Sequence, residues 1–189
     1  MLDKYQCISK LSQARTDQVV ITMMSMSDPW TRLSDGPLDY ASVDSAMGHG
    51  ADFAYGIAKA QPSRRVIALN GDGSMLMCLG TLVTLAQYPV NNFTLVIVEN
   101  GTYEVTGNQP VPGHGLMSFE AIARGAGLTN VETLSDDNAF DRHLLTHLNG
   151  PGLQIYIWKV APAQQPIPKP ALPIKQRTHA LRDTLNTKR

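Results

Sequence analysis

The sequence predicts an α/β fold of the doubly wound kind, a mainly parallel sheet with helices on both faces. Two observations carry this expectation. Short, continuously apolar runs such as QVVIT and FTLVIV suit strands buried on both sides, and segments of helical period separate them. The length of 189 residues is enough for one full core, and 43% hydrophobic with 17% charged residues is an ordinary globular balance.

The elements follow in order. Residues Leu2 to Arg15 read as a helix with apolar positions at Leu2, Tyr5, Ile8 and Leu11. Gln18 to Thr22 is a short buried strand. Met23 to Tyr40 reads as irregular, with Asp-Pro at 28–29 and Asp-Gly-Pro at 35–37 as turn signals. SVDSAMGHG leads into a helix over Ala51 to Ala60, and Val66 to Leu69 is the next strand. NGDGS then precedes one long apolar helix over Met75 to Gln87. Strand Phe93 to Val98 runs into ENGTY, and TGNQPVPGHG lacks periodicity and reads as a loop. Helix Phe119 to Ala126, strand Val131 to Leu134, helix Asn138 to Leu148 and strand Gln154 to Val160 complete the pattern. Beyond it, 161–189 is a proline-rich arm whose end, HALRDTLNTKR, forms one or two helical turns. That arm is either a loose tail or a segment packed on a partner subunit.

Composition excludes several classes. Sixteen basic and sixteen acidic side chains cancel, so no broad field points to nucleic acid or an acidic membrane. Two cysteines, Cys7 and Cys78, make no disulfide framework and fit a reducing, cytoplasmic setting. No apolar run approaches the ~18–20 residues that span a bilayer, and the amphipathic N-terminal stretch lacks the core of a signal peptide.

The chemistry concentrates between Val66 and Asn108. Ligands of doubly wound sheets bind beyond the carboxyl ends of the strands, and two such ends carry Asp72 and Asn100, 28 positions apart. One crossover helix and a return strand fill that gap, which places both side chains at one sheet edge. A carboxylate, an amide oxygen and a backbone carbonyl just after Asn100 suit an octahedral Mg²⁺ that still needs phosphate oxygens. Gly71 and Gly73 remove side chains where a diphosphate would lie, and Ser74 opens a helix whose free N–H groups favour an anion. A lone Gly-Asp-Gly is an ordinary turn; joined to a strand, a helix and Asn-Gly at the next strand end, it is a candidate site.

On these residues the chain resembles the thiamine-diphosphate (ThDP) binding domain of ThDP-dependent enzymes, whose signature is GDG followed by about thirty residues and an asparagine. The resemblance covers about Thr16 to Val160. It implies the ThDP-binding fold over 1–160, with a six-stranded sheet, and ThDP and Mg²⁺ as cofactors. Asp72 and Asn100 become side-chain ligands of Mg²⁺ and Thr102 a main-chain ligand. Gly71, Gly73, Ser74, Asn100, Thr102 and Tyr103 become cofactor contacts. SAMGHGADFAYGIAKA resembles the segment that grips the aminopyrimidine: Met47 would wedge between the rings and enforce the V conformation, and the Ser45 carbonyl would accept from the 4′-amino group. Thr22 takes the place of a diphosphate-binding hydroxyl.

In such enzymes a second domain supplies the glutamate that activates the pyrimidine. This chain has room for one domain, so the resemblance implies a partner subunit carrying that pyrimidine-binding domain and glutamate, hence a hetero-oligomer. Met47-Gly48-His49, GSMLMCLGTLVTLA and NGTYEVTGNQP resemble sulfopyruvate decarboxylase β subunits and the matching part of phosphonopyruvate decarboxylase. The expected activity is non-oxidative decarboxylation of a small 2-oxo acid. Alternatives are a carboligase subunit of the acetolactate synthase kind and a non-catalytic scaffold that keeps the fold. A ferredoxin-coupled oxidoreductase subunit lacks the cysteines it needs.

Further candidates stand beside plainer readings. His49 is a proton relay or substrate contact, or a histidine at a helix start. His114 closes over substrate, or is an exposed loop residue. Glu104 is a general acid/base or a solvated carboxylate, and just past the metal site its charge would repel a sulfonate or phosphonate. Gln109 touches substrate or stabilises its loop. Cys78 packs inside a helix, His143 and His147 lack a third metal ligand, and Met23, Met24 and Met26 fill irregular core or face a partner or substrate.

Overall fold

The computed structural model describes residues 1–42, 47–163 and 172–187. In chain order the elements are α1 (Lys4–Ala14), β1 (Val19–Met23), α2 (Ser27–Thr31), β2 (Asp39–Ser42), α3 (Gly50–Ala60), β3 (Val66–Gly71), α4 (Asp72–Met77) and α5 (Gly80–Gln87). They continue with β4 (Phe93–Glu99), a hairpin of β5 (Thr102–Tyr103) and β6 (Gln109–Pro110), α6 (Phe119–Gly125), β7 (Val131–Leu134), α7 (Asp137–Asn149), β8 (Gln154–Lys159) and α8 (Ile174–Asn186). Six strands form one sheet in the order β2-β1-β3-β4-β8-β7, and every pairing in it is parallel.

The apolar runs are continuous because alternate residues enter different cores. Val19 and Ile21, Leu95 and Ile97, and Ile155 and Ile157 face one cluster with α3, α5, α6 and α8. Val20, Val96, Val98, Tyr156 and Trp158 face a second cluster with α1, α2 and α7. Helix starts are fixed by side chains that accept from otherwise unpaired N–H groups. Asp3 accepts from Tyr5 and Gln6, Ser118 from Ala121, and Asp136 from Ala139.

Three expectations are corrected. Strand β2 lies at the end of the stretch read as irregular. It has no apolar run because tertiary contacts fix it: Asp39 is buried, ion-paired to Arg15 at 2.7 Å, and accepts from the Trp30 indole at 3.0 Å. The long helix expected over Met75 to Gln87 is two, broken at Cys78 (φ −136°, ψ 46°). The break leaves α4 at the strand tips and turns Leu82 and Leu85 of α5 into the core. At the C-terminus a 13-residue helix replaces the expected turn or two. Leu181 of α8 is buried in the first cluster, and the Gln61 amide donates to the Leu185 carbonyl at 3.1 Å. This helix packs on its own domain. Among the described residues no helix is long and apolar enough to cross a membrane.

His147 is a buried titratable group whose carbonyl accepts from the Thr94 hydroxyl while its ring packs among aromatics. It is 0% exposed, and among the described residues neither ring nitrogen has a hydrogen-bond partner. The Tyr156 ring lies 4.0 Å away, with Phe140 and Trp158 each at 5.6 Å. Burial, with a smaller contribution from nearby His143, pulls its pKa from 6.5 down to about 3. Folded His147 therefore stays neutral while the unfolded chain takes up a proton below pH 6.5, so stability is lost as pH falls from about 6.5 toward 3. His147→Phe should remove about 1 kcal/mol per pH unit of that acid slope. Urea denaturation of both proteins from pH 7 down to 4.5 checks this; equal slopes would refute the assignment.

Candidate functional site

The sheet is doubly wound about β1: the chain steps from β1 out to β2, then crosses to β3 on the other side of β1. Such a reversal opens a crevice beyond the strand ends. A cavity of about 280 Å³ lies there, lined by residues that follow β1 (Met24, Ser25), β3 (Gly71 to Ser74) and β4 (Asn100, Thr102 to Thr106), with Met47 and Met77 at its side.

Register brings the central pair together. Strands β3 and β4 pair from Val66↔Phe93 to Gly71↔Val98, so Asp72 and Asn100 emerge from adjacent parallel strands at the same edge. One hydrogen bond joins the two tips: Gly101 N–H donates to Asp72 Oδ2 at 2.7 Å, while Gly73 N–H donates to Oδ1 at 2.7 Å. Asn100 Oδ1 accepts from Thr102 N–H at 2.9 Å, which folds the β4 end back toward the cavity. Asp72 is 1% exposed. Burial pushes its pKa up to about 6, against the pull of backbone N–H groups led by that of Gly101. A buried carboxylate short of positive charge, beside an amide oxygen, is a donor set that fits a hard divalent cation.

The glycines have different reasons. A Cβ at Gly73 would stand 2.5 Å from the Tyr103 ring, so only glycine lets that ring cover the turn. Gly101 takes φ +76°, and a side chain there would strike His114 at 2.4 Å. Gly71 has nothing within 4 Å of its would-be Cβ, which leaves open space beside the carboxylate for a ligand. Ser74 is buried and lines the cavity. Donors, cleft and absent side chains thus fit a metal-tethered diphosphate.

Gly71, Asp72, Gly73, Ser74, Asn100, Thr102, Tyr103, Glu104 and Met47 all border one cavity. Ser45 lies outside the described residues. Thr22 is fully buried in β1 and not among the cavity-lining residues, and among the described residues its hydroxyl has no partner. The strand runs one residue further than expected, so the turn after it delivers Met24 and Ser25 to the cavity instead.

Glu104, expected as an acid/base or a solvated carboxylate, is instead held in an ion pair. Its carboxylate meets Lys4 Nζ at 2.6 Å, with the two side chains 1% and 2% exposed, and accepts from Ala163 N–H at 2.6 Å. Lys4 and the Ala163 N–H thus fix both carboxylate oxygens, and the paired charge repels an anionic substrate less than a lone carboxylate would. His49 begins α3, with Nδ1 on Asp52 at 2.9 Å, and His114 rests on Gly101; neither lines the cavity. Gln109 stabilises its loop through Thr106, at 2.8 and 2.9 Å. Residues missed from sequence are Ser25, Met77, Val105 and Thr106. Of the methionine run, Met24 reaches the cavity wall, at φ +51°, while Met23 and Met26 are buried; side-chain type does not signal Ser25, Met77, Val105 or Thr106.

Residues 32–154 match the family described as thiamine pyrophosphate enzyme, C-terminal TPP binding domain. The sulfopyruvate decarboxylase subunit beta of Methanothermobacter thermautotrophicus is 32% identical over 152 residues, which are 80% of this chain and 79% of that one. Phosphonopyruvate decarboxylase of Streptomyces viridochromogenes is 28% identical over 132 residues, 67% of this chain but 33% of that protein. A thiamine diphosphate-dependent 4-hydroxybenzoylformate decarboxylase of Rhodococcus jostii RHA1 superposes with a TM-score of 0.69 at 26% identity, over 87% of this chain and 33% of that one. The strand-tip carboxylate and amide, the cleft they line and the matched 32–154 segment lead to one assignment: this chain belongs to the thiamine pyrophosphate enzyme family and carries its C-terminal TPP-binding domain.

Proposed function

We propose that the chain is the β subunit of a two-chain, ThDP- and Mg²⁺-dependent 2-oxo acid decarboxylase of the sulfopyruvate and phosphonopyruvate decarboxylase kind. The observation that carries the reading is the Gly101 N–H to Asp72 Oδ2 bond of 2.7 Å, which ties the two strand tips into one donor set. Asp72, Asn100 and Thr102 would hold Mg²⁺, and Gly71, Gly73 and Ser74 would accept the diphosphate. Bound there, the cofactor supplies the electron sink that lets CO₂ leave a 2-oxo acid. The chain's own contribution is placement and dryness. Met47 supports the folded cofactor, and Met24, Met77 and Val105 give the cavity an apolar wall that keeps water from the reacting carbon.

Two tasks fall to a partner subunit. One is the activating glutamate, because the single buried glutamate at the cavity, Glu104, is neutralised by Lys4. The other is recognition of any anionic tail, since no lysine, arginine or histidine is among the described residues that line the cavity.

Calorimetry with ThDP and Mg²⁺, on the chain together with its partner, tests the cofactor assignment. Asp72→Ala should weaken Mg²⁺-dependent ThDP binding roughly 100-fold while circular dichroism stays unchanged; undiminished binding removes the metal assignment. A panel of 2-oxo acids assayed for CO₂ release should show turnover only when the partner is added, and full activity of the chain alone would refute the division of labour.

A further inference from the structure

Beside the cofactor cavity, three side chains from two elements converge. His49 and Asp52 stand at the start of α3, and Cys78 stands at the end of α4. One ligand-type atom from each lies within 4.8 Å of the others. His49 Nδ1 is 2.9 Å from Asp52 Oδ2, and Cys78 Sγ is 3.5 Å from the same nitrogen. We propose that His49, Asp52 and Cys78 form a binding site for a thiolate-seeking divalent cation such as Zn²⁺, on the outer wall of the cofactor cavity.

The distances suit that ion. Nitrogen and sulfur bound tetrahedrally to zinc at about 2.1 and 2.3 Å stand about 3.6 Å apart, close to the separation of Cys78 Sγ from Nδ1; because Sγ also lies 3.7 Å from Nε2, the imidazole must turn to aim its lone pair at a shared ion. The Asp52 oxygen need move only a few tenths of an ångström from the imidazole. Its other oxygen, Oδ1, accepts the Thr81 hydroxyl, which fixes the carboxylate as a ligand must be fixed. His49 remains 57% exposed, so a fourth position faces solvent.

The close approach is built into the backbone. Gly48 takes φ +88°, and a Cβ there would stand 3.2 Å from Cys78 Sγ and 2.8 Å from Met77 Cβ. Glycine therefore lets the segment carrying Met47 and His49 lie on the end of α4. Burial, with a smaller push from the Asp52 charge, raises the pKa of the Cys78 thiol. On binding, the cation takes the thiolate and the proton leaves to solvent. Sulfur and imidazole ligands select against Mg²⁺, whereas the all-oxygen set at Asp72 favours it. The two sites are chemically separate, and this one does not depend on the proposed catalytic activity.

The test is a titration of the full chain with Co²⁺, a spectroscopic substitute for Zn²⁺. A thiolate-to-cobalt charge-transfer band should grow to one equivalent, persist in excess Mg²⁺ and disappear when Zn²⁺ is added. Cys78→Ser should abolish the band, and Asp52→Asn should weaken Co²⁺ binding by about 10-fold or more, with circular dichroism unchanged in both. The proposal is overturned if no thiolate band forms, if the band survives Cys78→Ser and so reports Cys7, or if excess Mg²⁺ removes it. Calorimetry of ThDP binding is unaffected by any of these outcomes, so the two readings fail independently.

Discussion

Asp72 stands where two strand ends meet, and both of its oxygens accept from backbone: Gly73 N–H on one side and Gly101 N–H on the other. Each such bond to a charged acceptor contributes about 2 kcal/mol. Taking a carboxylate out of water costs several kcal/mol, and the backbone N–H groups around it, that of Asn100 included, leave the site short of positive charge. The raised pKa of Asp72 expresses that deficit. The turn after β4, the cover of Tyr103 over Gly73 and the position of Asn100 all follow from holding this carboxylate at the tip of β3. A cation would complete the site rather than create it.

Much of this arrangement is legible in the sequence, and the reasons are local. The inner strands β1, β3, β4 and β8 announce themselves because burial on both faces requires near-continuous apolar runs, while the edge strand β7 carries half-buried Glu132 and Thr133; Gly71-Asp72-Gly73 with Asn100 is readable because chain length between parallel neighbours is constrained. What stays hidden is set by contacts distant in sequence. Strand β2 depends on Arg15 and Trp30 gripping Asp39, and no periodicity in Asp39–Ser42 reveals it. Helix α8 looked like a tail because its apolar content is low; Leu181 alone is fully committed to the core.

The site shows the same division. Residue types that bind metal and phosphate are rare enough to be noticed, whereas the apolar wall of Met24, Met77 and Val105 consists of residues indistinguishable from core. Glu104 is the instructive case. Its neighbourhood in sequence suggested an exposed acid, but Lys4, one hundred residues earlier, converts it into a structural ion pair. Thr22 is buried within β1, whereas Ser25 lies in the turn beyond the strand end and reaches the cleft.

The clamp around Glu104 ties the ends of the domain to its ligand loop. Leu2 bridges to Val160 and donates to the Lys159 carbonyl at 2.9 Å, Lys4 grips Glu104, and Ala163 closes on both Glu104 and Asn108. These pairings join residues 2–4, 104–108 and 159–163, so the loop beside the cavity is braced only after the final strand is in place. Contacts of such high separation form late. On a ribosome, a nascent chain would emerge with its GDG turn well before the residues 159–163 that brace the loop at Glu104 and Asn108.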